Sequence, residues 1–190
     1  MKSRWLLNVT GYTLAGALAS ASVGAALGFL GAALLPEQPV APGRLVALGV
    51  GLLALARTLG LAAIPFPQPA RQTRDVWVKG SNPTIAAIRW GLDIGLIYTT
   101  RFTFPGTWFL TAVAVVAREP AFGAAVFVAY WIGRAVSVWL GPLLMRDARE
   151  TPQLLMAVHH QYSGFRRTHA VALIMGASVL TVSLVAGSGL

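Results

Sequence analysis

From Val9 to Leu35 the chain runs for 27 positions without a charged side chain. About 20 apolar residues suffice for a helix to cross the hydrocarbon core of a bilayer. A secretory signal has a shorter apolar stretch, about 7–15 residues, followed by a polar cleavage region. Here the run ends at Pro36-Glu37-Gln38-Pro39 and a second apolar run follows at once. The segment therefore reads as a retained membrane span. Composition extends that reading to the whole chain. Of its 190 residues, 56% are hydrophobic and 11% charged, against about 25% charged in an ordinary soluble domain. So few charges do not cover the surface of a water-soluble globule, and a soluble enzyme is excluded. The fold class expected is all-α: a polytopic membrane bundle forming a single transmembrane domain over residues 1–190.

Further apolar runs cover 45–64, interrupted by Arg57; 121–145, with Arg134 near its middle; and 170–188. The stretch 83–117 is too long for one straight crossing, since 35 helical residues measure about 50 Å against a core of about 30 Å. Pro105-Gly106 supplies a break, because proline lacks a backbone donor and clashes with the preceding turn. The pieces are then Pro83–Arg101 and Gly106–Ala117. The second is too short to cross alone, so we read one discontinuous span and about five spans in all. Lys2, Arg4, Arg71, Arg74, Lys79, Arg146, Arg149, Arg166 and Arg167 then fall on one side, with Arg44, Arg118, Glu37 and Glu119 on the other. The positive-inside rule puts the N-terminus in the cytoplasm and the C-terminus outside. The expected location is the plasma membrane of a prokaryote. The net charge of +9 becomes a basic rim facing anionic lipid headgroups, and no basic surface remains for nucleic acid.

Gly16, Ser20, Gly24 and Gly28 recur every four residues, with Tyr12 and Ala32 extending the row. Positions four apart share a helix face, and small residues there let another backbone approach closely. Two occupants compete for that face: this chain's own second or fifth span, or a protein partner.

Charges at bilayer depth are costly and each needs an account. Arg89, Asp93, Ile97 and Arg101 lie four apart and share a face if the helix is continuous. Asp93 is the only carboxylate within a span and cannot neutralise both arginines. Beyond the break at Thr103-Phe104-Pro105-Gly106, a half-helix would aim its amides and positive dipole end back at the break. With Thr99, Thr100, Thr103 and Thr107 nearby, these groups outline a site for a small anion, as discontinuous helices do in transporters. The structural account is equally direct: Arg89 snorkels with Asp93 as its partner, and Arg101 caps carbonyls at the break. Arg134 has no acid in its own span, so Asp93 is its one intramembrane candidate, giving either an ion pair between spans or a solute contact.

His159, His160 and His169 fall in a basic connection that reads as interfacial, with Arg166, Arg167, Tyr162 and Phe165 at headgroup level. No Cys, Asp or Glu sits at ligand spacing beside them, so no metal is expected, and no cofactor either. The chain has no cysteine, which excludes thiol redox chemistry by the chain itself. No nucleophile–base–acid arrangement is visible. An intramembrane lipid enzyme using Asp93 or His169 as a base is thus the least favoured function.

Trp90-Gly91-Leu92-Asp93-Ile94-Gly95-Leu96, Thr100, Pro105 in a broken helix, and Gly133-Arg134-Ala135 together resemble the CcdA/DsbD-like transmembrane family, in its C-terminal half. The linker Pro69-Ala70-Arg71-Gln72, followed by Trp77, fits cysteine-free relatives of that family. Its members pass reducing equivalents across the membrane through a cysteine pair, one in each half of an inverted repeat. Neither cysteine exists here, so no catalytic residue carries over. The resemblance implies a scaffold of broken helices around a central cavity. Two functions follow as expectations: a carrier or channel-like protein for a small solute, an anion by the charge balance, or a non-catalytic accessory or assembly subunit of a larger membrane complex.

Overall fold

A computed structural model of the chain describes residues 2–36, 40–68, 81–101, 104–144 and 161–187. Among them are six helices and no strand: α1 (Lys2–Leu34), α2 (Val40–Leu59), α3 (Pro83–Gly95), α4 (Gly106–Ala117), α5 (Pro120–Leu144) and α6 (Tyr162–Gly187). Four of them, α1, α2, α5 and α6, are long and apolar enough to cross a membrane. Their outward faces carry large apolar side chains, for example Leu7, Leu18, Phe29, Val179 and Val182. The helices begin earlier than the apolar runs suggest. Lys2, Arg4, Arg166 and Arg167 lie inside α1 and α6, because charged residues at helix ends extend a span without entering its apolar middle.

The remaining crossing is shared by two short helices. Neither α3 with 13 residues nor α4 with 12 reaches across a core of about 30 Å. At the start of α3, the Thr84 hydroxyl donates to the Asn8 side-chain oxygen at 2.8 Å, beside the start of α1. Just past α4, Arg118 donates to the Pro36 carbonyl at 2.9 Å, beside the end of α1. The discontinuous segment therefore runs from one end of the bundle to the other, once.

Helix α1 is the spine. It lies antiparallel to α5 and parallel to α3, its two largest interfaces, and it also meets α4. The row Gly16, Ser20, Gly24 and Gly28 is buried in these contacts. A Cβ added at Gly24 would lie 2.1 Å from the Gly123 carbonyl oxygen, and one at Gly28 would lie 2.4 Å from the Glu119 carbonyl oxygen. At Gly16 it would strike the Trp131 ring at 1.9 Å. The Ser20 hydroxyl donates to the Gly95 carbonyl at 2.8 Å. The occupants of this face are thus α3 and α5, in place of the second or fifth span expected. Backbone-to-backbone contact is what small residues allow where lipid supplies no hydrophobic drive between helices.

Helix α2 packs on α6 and α4. Ala54, Phe109 and Leu173 make one buried cluster there, with Leu55, Phe66, Val113 and Leu180 around it. A second cluster of Ile97, Ala114 and Phe127 lies between α5 and the broken segment, backed by Val23 and Leu27 of α1.

Candidate functional site

The break begins before the proline that predicts it. Helix α3 stops at Gly95, ten residues ahead of Pro105 and six short of the Arg101 end expected. Three local contacts account for the early stop. Gly95 is pressed against α1, where a Cβ would meet the Gly16 carbonyl oxygen at 2.5 Å. Ile97 turns into the left-handed region at φ 61°, a conformation costly for a β-branched residue. Its side chain is fully buried in the second cluster, which holds it there. The Thr99 hydroxyl then donates to the Asp93 carbonyl, satisfying a group that the helix end leaves without its usual partner.

This early stop breaks up the face drawn from the sequence. Arg101 lies beyond α3 and is exposed, so it does not continue the row of Arg89 and Asp93. Arg89 is exposed as well, donating to the Ser81 hydroxyl at 3.3 Å. Asp93 is buried on α3, at 6% exposure. Arg134 is half-buried on α5, its guanidinium 5.8 Å from the centre of the Tyr130 ring. Asp93 lies on α3 and Arg134 on α5, the two helices that pack most closely on α1. Thr100 and Thr107 are buried in the break, and Thr107 is 3.3 Å from the Tyr130 hydroxyl. Thr103, His159, His160 and the linker 69–80 lie outside the described residues.

The start of α4 gathers groups that the sequence kept apart. Phe104 stacks on His169 at 4.7 Å between ring centres. Gly106 sits against the same imidazole, and a Cβ there would lie 2.7 Å from its Nε2. His169 is thus a helix-packing residue within α6 and not part of an interfacial connection. Its Nε2 is buried and has no hydrogen-bond partner. Beside it opens a cavity of about 240 Å³ lined by Arg57, Thr58, Gly60, Ala62, Phe104, Pro105 and Arg166. Its wall is fixed by the turn after α2. Arg57 donates to the Ile64 carbonyl, and the Trp108 indole donates to the Pro67 carbonyl at 3.0 Å. In the sequence Arg57 interrupts the second apolar run and Arg166 falls in a later basic connection. The antiparallel pairing of α2 with α6, which no local pattern announces, makes them neighbours.

Among the described residues no group of three or more His, Asp or Glu is placed to hold a metal ion. Compared with known protein families, with curated proteins and with solved structures, the chain matches none of them.

Proposed function

We propose that this protein is a small carrier or channel-like membrane protein for a small anionic solute. The observation that carries the reading is the broken crossing, whose second half begins beside a cavity lined by two arginines and by no carboxylate among the described residues. A helix that restarts inside a bundle turns its free amides and positive dipole end towards the break. Irregular backbone at membrane depth is tolerated where it lines a cavity or is buried in protein. Thr100 and Thr107 add buried hydroxyls at the break. The bundle would sit in a prokaryotic plasma membrane with its Arg57 and Arg166 end in the cytoplasm, by the positive-inside rule. The likeness to CcdA/DsbD-like proteins belongs to this proposal as a likeness of scaffold only, since the chemistry of that family needs cysteines. The test is anion uptake into liposomes containing the purified chain, compared with Asp93→Asn and Arg101→Ala. Uptake that neither change alters, in folded protein, refutes a route through the break.

A second reading, a non-catalytic subunit of a larger complex, has its own observation. The small-residue row of α1 is filled by the chain itself, but Ala121, Ala125, Ala129, Gly133 and Ser137 form a four-residue repeat on α5 that is exposed throughout. Co-purification of a stoichiometric protein from the native membrane, lost on Gly133→Leu, would favour this reading over the carrier.

A further inference from the structure

Three features of the cavity beside α4 narrow what it binds, and the narrowing rests on the anion reading above. The first is charge. Arg57 comes from the last turn of α2 and Arg166 from the first two turns of α6, and both line a space of about 240 Å³ with no carboxylate among its described lining residues. The second is donor geometry. A guanidinium presents a planar fork suited to two oxygens of one oxyanion. Two forks from different helices suit a centre with oxygens on several sides. A planar carboxylate holds its two oxygens in one plane, enough for one fork, and a chloride ion has no use for a fork. The third is the imidazole of His169, which stacks behind Phe104 of the lining and whose buried Nε2 has no partner. Size agrees, because the space is several times the ~30 Å³ of one water.

We propose that this cavity is a phosphoryl site, taking a tetrahedral phosphate group between Arg57 and Arg166. The same group reaches the cavity either as free phosphate or as a lipid headgroup, because both arginines lie near helix ends. The experiment separates the two sources. Purified, delipidated full-length chain is titrated with inorganic phosphate, and the wild-type chain is reconstituted in phosphatidylcholine vesicles with or without phosphatidylglycerol. Native mass spectrometry after gentle extraction then reports retained lipid. The comparison is Arg57→Gln with Arg166→Gln. Both side chains are exposed at a bundle end, and the paired lysine variant keeps the charge while removing the forks.

Saturable phosphate binding that weakens at least tenfold in the glutamine variant, and less in the lysine variant, supports a free-phosphate site. No phosphate binding, with phosphatidylglycerol retained by the wild type and lost by the glutamine variant, supports a headgroup site. Equal binding by wild type and glutamine variant overturns the proposal, as does displacement of phosphate by equimolar acetate or chloride. Anion uptake by the liposomes is scored separately. Uptake without phosphoryl binding removes this inference and leaves the carrier reading intact. Phosphoryl binding without uptake does the reverse.

Discussion

Two glycines on neighbouring helices show how unequal residues of one type are. Gly24 has the Gly123 carbonyl 2.1 Å from where a Cβ would stand, whereas Gly133 has nothing within 4 Å. Neither backbone can retreat at the first site without separating α1 from α5. We expect Gly24→Leu to destabilise the protein by more than the ~1–3 kcal/mol usual for overpacking, and Gly133→Leu to stay within about 0.5 kcal/mol. Unfolding of the purified protein in mixed micelles measures both. Ser20→Ala tests a smaller term, the hydroxyl bond to the Gly95 carbonyl. Interhelical hydrogen bonds in membranes average about 0.6 kcal/mol, and a loss near that value is expected by the same measurement. The importance of Gly24 could be read in the sequence, because it belongs to a four-residue row. Its partner could not, because Gly123 lies in a helix synthesised long after it and carries no complementary pattern of its own.

At the scale of the element, the broken crossing is where sequence reading succeeded in kind and failed in position. Proline marks where α4 starts, since Pro105 precedes its first residue, but proline does not mark where α3 stops. That end is set by tertiary contact: Gly95 against Gly16, and Ile97 held in a buried cluster. No periodicity in residues 83–101 encodes either contact, so a continuous helix to Arg101 was the natural reading and the charged face built on it failed. The Thr99 hydroxyl bonded to the Asp93 carbonyl gives a direct test. Thr99→Val keeps the shape and removes the donor. It should speed amide exchange in the last turn of α3, with α1 and α5 unaffected, as followed by hydrogen–deuterium exchange. Unchanged exchange would show that packing alone ends the helix.

For the whole molecule, the absence of cysteine makes orientation simple to test. Ser3→Cys and Ser163→Cys lie at the basic end, while Glu119→Cys and Ala186→Cys lie at the other. An impermeant maleimide applied to intact cells should label the second pair, and the first pair only after the membrane is opened. The reverse pattern would invert the topology and place the Arg57 and Arg166 cavity outside. The order of assembly is constrained too. Helix α1 finds its main partners in α3 and α5, and α2 finds its own in α4 and α6, so the two consecutive spans α1 and α2 are not principal partners of one another. A ribosome that has made only residues 1–82 has therefore released two helices whose partners do not yet exist. Their stable arrangement waits for α4, which touches α1, α2 and α5. A chain cut short before Gly106 should leave the translocon as loose helices open to proteolysis, while one reaching the end of α5 should already resist it.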